Sequence, residues 1–351
     1  MKVFVGLSGG VDSAVSAALL QQQGHEVTGV FIRIALPGYP CSAGEDKISA
    51  QRVAAHLKIP FIEIDLSKEY ADEVFAHTIS ELRKGRTPNP DTLCNQKIKF
   101  GAFYDFARAH GAECVATGHY ARVKNGLLYT GVDTEKDQSY FLWMVPQEVL
   151  QHTFFPIGEM RKPEVRALAA KFGLPNATRP DSQGLCFLGD ISVDEMIRRE
   201  LEPTPGNVLN EAGKVVGKHD GVALYTMGQR HGFELFPSIG GRGIDTLPHF
   251  VIAKNNEKNT ITVSTERFPV DYKNTEIAFT QANWIGDLES GTYTARFRYR
   301  QTLIPAEVKT KNGKTIIVLL EPQYVPYGQS LVLYHGERCL GGGIVESTKL
   351  Y

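Results

Sequence analysis

The residues with the most chemistry to offer are two cysteines in unlike surroundings. Cys94 closes the run Gly85-Arg86-Thr87-Pro88-Asn89-Pro90-Asp91-Thr92-Leu93-Cys94 and precedes Asn95-Gln96-Lys97-Ile98-Lys99-Phe100. Pro88 and Pro90 stiffen the approach and are expected to delay any helix until after Asn95, which puts Asp91 and Cys94 in a rigid loop at a helix N-terminus. The helix dipole with Lys97 and Lys99 would favour the thiolate there, and Asp91 could take or give protons. A plainer reading stands beside it: Asp91 as an N-cap and Cys94 as a small buried hydrophobe. Cys186 lies in Arg179-Pro180-Asp181-Ser182-Gln183-Gly184-Leu185-Cys186-Phe187-Leu188-Gly189-Asp190. Its apolar neighbours suit burial, whereas Gly184 and Gly189 frame a flexible loop that could bring a thiol to a bound substrate. Cys41, Cys114 and Cys339 read as structural or incidental.

A second chemical stretch, Ser8-Gly9-Gly10-Val11-Asp12-Ser13, sits between the apolar run Lys2–Leu7 and a helical pattern that begins at Ala14. A glycine turn between strand and helix suits phosphate: the backbone can come close, the helix N-terminus offers N–H groups, and Ser8 and Ser13 add hydroxyls. Asp12 would repel phosphate unless Mg²⁺ bridges them, so a metal–nucleotide complex is the expected ligand. The loop lacks the Lys-Ser/Thr ending of common ATPases and the third Gly and acidic partner of a dinucleotide fold. Ser-Gly-Gly-x-Asp-Ser instead resembles the pyrophosphate loop of ATP pyrophosphatases, which cleave ATP to AMP and pyrophosphate while adenylating a substrate oxygen.

The elements around these stretches must bring them together. Strand-like runs Val3–Leu7, Val27–Arg33, Phe61–Asp65 and Cys114–Thr117 alternate with helical segments near Val11–Gln23, Lys47–Leu57 and Lys97–His110. That alternation implies an α/β doubly wound parallel sheet with its ligand beyond the carboxyl ends of the strands, and the resemblance of the loop implies that the sheet is of the adenine nucleotide alpha hydrolase-like kind. Tyr120–Tyr129 reads as a hairpin around Asn125-Gly126, expected to leave the sheet edge as an arm, and Pro163–Gly173 as a helix. A helix near Val193–Arg199 and Pro203-Thr204-Pro205-Gly206 lead into a small β-rich central part, and later strands, including Tyr293–Arg300 and a hairpin at Asn312-Gly313, suggest a C-terminal β-barrel. The expected domains are 1–200, 201–268 and 269–351.

Composition narrows the classes. With 351 residues and 42% hydrophobic content the chain can build several cores. No apolar run approaches the ~20 residues of a membrane span, and the N-terminus already reads as a core strand, so a cytoplasmic location without a membrane partner is expected. The 38 basic and 39 acidic residues nearly cancel, so a nucleic-acid surface would need local clusters such as Arg296, Arg298 and Arg300 on one strand face. The five scattered cysteines contain no CxxC pair, which argues against zinc, an iron–sulfur cluster or a disulfide scaffold.

Five motifs then occur in one order: Ser8–Ser13; Thr87–Asp91 with Cys94-Asn95 and Ile98-Lys99-Phe100; Ala116-Thr117-Gly118-His119-Tyr120; Lys136–Leu142; and Asp181-Ser182-Gln183-Gly184 with Cys186-Phe187. With Tyr225–Arg230 and Arg298-Tyr299-Arg300-Gln301, the sequence resembles the bacterial tRNA-specific 2-thiouridylases over essentially its whole length. The resemblance implies a sulfurtransferase that uses ATP with Mg²⁺ to replace the C2 oxygen of the wobble uridine, U34, in tRNAs for Lys, Glu and Gln. It implies ATP contacts at Gly6, Leu7, Ser8, Gly9, Gly10, Val11, Asp12, Ser13, Ile32 and Gly118, with Ile32 standing where the family usually has Met. It places the target base at Asn89, Pro90 and Asp91, and further tRNA contacts at His119, Lys136, Asp137, Gln138, Arg298, Tyr299 and Gln329. Asp91 would be the acid/base group. Cys186 would carry a persulfide from a cysteine desulfurase or relay protein, and Cys94 would attack it and end in a disulfide with Cys186. The alternative is a related enzyme that adenylates a substrate for amidation or ligation; it needs no thiol pair.

Overall fold

The computed structural model describes residues 1–39, 43–181, 191–237, 247–268, 273–311 and 314–350. The first strands are β1 (Lys2–Gly6), β2 (Glu26–Arg33), β3 (Phe61–Asp65), β4 (Cys114–Ala116), the hairpin β5 (Ala121–Lys124) and β6 (Leu127–Thr130), and β7 (Thr153–Phe154). Five of them form a parallel sheet in the order β3-β2-β1-β4-β7. Their sequences are short and apolar because both faces are covered, the usual condition of a parallel sheet. The longer helices are α1 (Val11–Gln22), α2 (Ala43–Leu57), α3 (67–83), α4 (90–109), α5 (Lys162–Lys171) and α6 (Val193–Leu201). Strand order reverses at β1, so the loops leaving β1 and β4 open a crevice at the carboxyl edge.

Helix α4 starts earlier than the prolines suggested. It opens at Pro90, widens to π-helical hydrogen bonding over Asn95–Ala102, and ends as α-helix over Phe103–Ala109. Proline is compatible with a first turn, where its missing N–H has no helical partner to lose. The cap is Asn89, whose side chain accepts from the Thr92 N–H at 3.2 Å. Asp91 and Cys94 are therefore helical residues, and Asp91 is not the cap.

A second sheet is built from β8 (Gly206–Leu209), β9 (Val215–His219), β10 (Phe233–Leu235), β11 (Phe250–Asn255) and β12 (Thr260–Ser264), in the order β10-β9-β8-β12-β11. The third contains β13 (Thr275–Trp284), β14 (Gly291–Arg296), β15 (Ile304–Lys311), β16 (Lys314–Leu319), β17 (Ser330–His335) and β18 (Arg338–Leu350). These six run β13-β16-β15-β14-β17-β18, and β13 also pairs with β18, closing a barrel. The hairpin is no free arm: Tyr129 and Leu128 pair with Arg338 and Cys339, so β6 and β5 extend the barrel wall.

The barrel is continuous with the core of the parallel-sheet part. Trp143, Leu142, Ile285, Val332, Tyr334 and Cys339 belong to the same buried cluster as Phe4, Val30 and Ile98. The strand expected over Tyr293–Arg300 ends at Arg296. Beyond it the chain turns, with Arg300 at a φ of 60°. No helix among the described residues is long and apolar enough to cross a membrane.

Candidate active site

The glycine loop is rigid because its backbone is pinned from three sides. Gly9 has a φ of +81°, and a Cβ there would lie 2.5 Å from the Asp46 carbonyl oxygen, so glycine is required twice over. Its own carbonyl accepts from Ser49 Oγ at 2.7 Å, Asn176 Nδ2 at 2.9 Å and Arg179 Nη1 at 3.1 Å. Gly10 occupies the N-cap of α1, and no side chain among the described residues caps that helix, which leaves its first N–H groups for a ligand. The Ser13 hydroxyl is spent inside the loop: it donates to the Gly10 carbonyl at 3.1 Å and accepts from the Ser8 N–H at 3.2 Å. Ser8 itself is exposed, whereas Leu7, Val11 and Ile32 are core residues, so what Leu7 and Val11 offer a nucleotide is backbone.

Gly118 closes the crevice from the β4 side. A Cβ on it would sit 2.7 Å from the Ser13 nitrogen and 2.8 Å from the Asp12 carbonyl carbon. Only a glycine lets the β4 loop press on the first turn of α1.

Asp12 does not stand alone. Its two carboxylate oxygens accept from Lys162 Nζ at 2.8 and 2.9 Å, and one also accepts from the Tyr120 hydroxyl at 3.0 Å. Lys162 reaches Asp181 as well, at 2.8 Å, and Asp181 is further held by Lys136 at 2.8 Å and Arg166 at 2.7 Å. Burial alone would raise the Asp181 carboxyl, but hydrogen bonds and charge from Lys136 and Lys162 override it and hold the group far below the ordinary carboxylate range. Burial, then the charge and hydrogen bond of Asp12, raise the Tyr120 hydroxyl so that it stays a donor. The expected repulsion between Asp12 and phosphate thus meets a cation supplied by the protein. A magnesium ion carried in on a nucleotide needs one or two carboxylates beside the phosphates, and the half-buried Asp12 fits that demand.

A short path joins this loop to the thiol helix. His119 follows Gly118, is buried, and contacts Thr117 Oγ1 through Nδ1 at 2.7 Å. Its ring lies 5.9 Å from Phe100 of α4 and 5.8 Å from Phe155. Burial, reinforced by Lys99, drives its pKa well below the usual histidine value, so the ring is neutral. Cys94 lies on the same helix as Phe100 and is fully buried. Beside it, Thr92 Oγ1 and Asn95 Oδ1 are buried without hydrogen-bond partners among the described residues, while Asn95 Nδ2 donates to the Phe141 carbonyl at 3.0 Å. Lys97 is drawn to Glu73 at 2.9 Å. Cys186 and residues 182–190 around it lie outside the described residues, as does Cys41. Burial raises the thiol pKa of Cys114, and that of Cys339 to about 12, so both are inert protonated thiols.

The remaining candidates divide into surface and interior. Arg298 is exposed, Tyr299 is half-buried against Phe141, and Gln329 accepts from the Tyr140 hydroxyl at 3.2 Å. Lys136 is committed to Asp181, and Gln138 Oε1 accepts from the Tyr120 N–H at 3.0 Å. Asp137 is buried against Arg296, which also donates to the Tyr334 hydroxyl at 3.0 and 2.8 Å. Arg296 therefore leaves the basic strand face anticipated for it, and only Arg298 and Arg300 of that trio are exposed. Lys162, Tyr120 and Arg296 are side chains whose carboxylate partners local sequence did not indicate. The helix start at Lys162-Pro163 was visible, but its carboxylate partner Asp12 lies 150 residues away.

Three family models cover most of the chain: a tRNA methyl transferase HUP domain over residues 1–190, a tRNA methyl transferase PRC-barrel domain over 194–265, and an aminomethyltransferase beta-barrel domain over 274–345. The chain is 41% identical, over 99% of its length and 95% of the relative's, to a tRNA-specific 2-thiouridylase MnmA of Lysinibacillus sphaericus. Among solved structures, an NMN synthetase from Francisella tularensis matches 56% of this chain and 71% of its own at 19% identity with a TM-score of 0.34. A 4-thiouridine synthetase in complex with RNA and ATP matches 57% and 49% at 18% identity with a TM-score of 0.35.

Proposed function

The chain belongs to the tRNA-specific 2-thiouridylase family, and from that premise we propose how its own residues divide the thiolation of tRNA uridine. The substrate base is the wobble uridine of tRNAs for Lys, Glu and Gln, and the enzyme works in the cytoplasm. ATP docks on Ser8–Ser13, its phosphates facing the uncapped N-terminus of α1. Magnesium, when bound with the nucleotide, supplies charge neutralisation between phosphate oxygens, and Asp12 is the carboxylate that would hold it.

The C2 oxygen of uridine attacks the α-phosphorus, the bond to pyrophosphate breaks, and the oxygen becomes part of an AMP leaving group. Asn89 and Pro90 bound the base pocket, and Asp91 in the first turn of α4 handles the proton. The outer sulfur of a Cys186 persulfide, charged by a cysteine desulfurase or relay protein, then bonds to C2 as AMP departs. Cys94 breaks the S–S bond, leaving a Cys94–Cys186 disulfide that a thiol reductant reopens. Arg298, Tyr299 and Gln329 contact the tRNA, whose splayed loop base is the form a protein pocket can read.

The observation that supports this reading is the junction at Gly118-His119. One residue presses on the phosphate loop and the next packs against Phe100 of the helix that carries Asp91 and Cys94. That junction supports a reading in which activation and sulfur delivery take place beside one another. The test is mass analysis of the wobble nucleoside after incubation of unmodified tRNA with ATP, Mg²⁺ and a persulfide donor. Wild-type protein should exchange oxygen for sulfur, whereas Cys94→Ser should still release pyrophosphate with tRNA but yield no thiolated base. Full thiolation by Cys94→Ser, or a methyl group in place of sulfur, would sink the assignment.

A further inference from the structure

We propose that Lys162 is a nucleotide-contacting residue of this enzyme, whose ammonium group passes from Asp12 to the polyphosphate of bound ATP while Asp181 keeps it in position. The inference rests on the function proposed above and adds to the loop a residue far from it in sequence.

Placement comes first. The Lys162 backbone N–H donates to Asp133 Oδ2 at 2.8 Å, fixing the start of α5, and its Nζ stands 5.9 Å from the centre of the Tyr120 ring. The side chain is only 13% exposed, yet its Asp12 partner is 31% exposed and lies in the first turn of α1, where phosphate is expected. Lys162 therefore stands behind the carboxylate of the loop's own helix that an incoming anion faces.

Charge comes next. Lys136, Lys162 and Arg166 face Asp12 and Asp181, with Asp133 at the Lys162 backbone, so the three positive charges are matched by three negative ones. The pull on an anion therefore comes from the helix N-terminus and from Lys162 once it turns away from Asp12. A lysine suits such a transfer better than an arginine, because its ammonium is a compact point charge with three donors on a flexible stem.

The exchange leaves each carboxylate a hydrogen-bond donor. When Lys162 turns toward phosphate, Asp12 keeps the Tyr120 hydroxyl and Asp181 keeps Lys136 and Arg166. Asp12 then lacks its cation, and the magnesium it would hold beside the phosphates offsets that charge.

The test reads nucleotide binding without tRNA, so it stands apart from thiolation. Lys162→Gln should bind ATP with Mg²⁺ about tenfold or more weakly by calorimetry, the size of one charge-assisted hydrogen bond. Lys162→Arg should recover most of that affinity, and tRNA affinity should stay at the wild-type level in both. On unmutated protein, an acyl-phosphate derivative of ATP should transfer its acyl group to Lys162, and excess ATP should suppress the label. Wild-type ATP affinity in a folded, tRNA-binding Lys162→Gln protein would overturn the proposal, and so would ATP-protected labelling confined to other lysines. Wild-type protein that binds ATP as proposed but incorporates no sulfur counts against the thiolation reading alone.

Discussion

Two carboxylate–cation pairs, Asp12 with Lys162 and Asp137 with Arg296, occupy the two ends of one structural line. The first sits at the rim of the phosphate crevice with side chains 31% and 13% exposed; the second lies between catalytic sheet and barrel at 5% and 8%. Both are charge-assisted, and both begin from residues that sequence motifs single out. Their surroundings separate them. Asp137 accepts further from the Gly131 and Ser139 N–H groups, and Arg296 from its side gives two bonds to Tyr334, so both charges are held by several partners in a sealed space. Asp12 and Lys162 each have alternative partners and reach solvent. A sealed pair fixes how two domains meet, whereas an accessible pair with spare partners can be exchanged for a ligand. The link between them is continuous: Gln138, next to Asp137, accepts from the Tyr120 N–H, and Tyr120 donates to Asp12.

The largest test of that contrast is Asp137→Ala, which strands the Arg296 charge and should cost about 3–5 kcal/mol of unfolding free energy in urea. Asp12→Ala should cost about 1 kcal/mol or less, since Lys162 retains Asp181, while weakening ATP binding. Equal losses from the two would erase the distinction. Next, Gly118→Ala pushes a methyl into the first turn of α1; the strain should amount to about 1–3 kcal/mol and reduce ATP affinity with tRNA affinity preserved.

A smaller effect is a pH dependence at His119, whose folded pKa lies below the unfolded value because of burial and Lys99. The folded state therefore binds fewer protons, so stability is intact above about pH 6.5 and falls below it at up to about 1.4 kcal/mol per pH unit. His119→Gln should remove that part of the acid slope; an unchanged slope would show that the ring is not the group responsible. At the bottom of the scale, Arg33→Gln breaks an exposed bond of 2.6 Å to Asp65 and should shift stability by less than about 1 kcal/mol. A larger loss there would mean that exposure is a poor guide to which pairs matter.

Much of the fold was legible because its signals are local. Alternating apolar strands and helices gave the parallel sheet, Asn125-Gly126 gave the hairpin, and Gly9 gave the left-handed turn that phosphate loops need. The misjudged features are those in which local chemistry had two outcomes. Pro90 could end a loop or begin a helix, and the Asn89 cap decided it. The hairpin could hang free or pair, and β18 claimed it. Arg296 had the alternation of a surface residue, but the strand ended and the side chain turned toward Asp137, 159 residues earlier.

By itself, then, the sequence determined the reaction family and the candidate groups, since loop motifs and cysteine contexts depend on neighbours a few residues apart. The tertiary structure decided what those groups face. It placed Gly118 on the turn after Gly10, set the neutral His119 between loop and thiol helix, and gave Asp12 a lysine that no nearby residue announces. The physical reason is range: backbone conformation is set by adjacent side chains, while burial and charge pairing depend on which distant segments the packed core brings into contact.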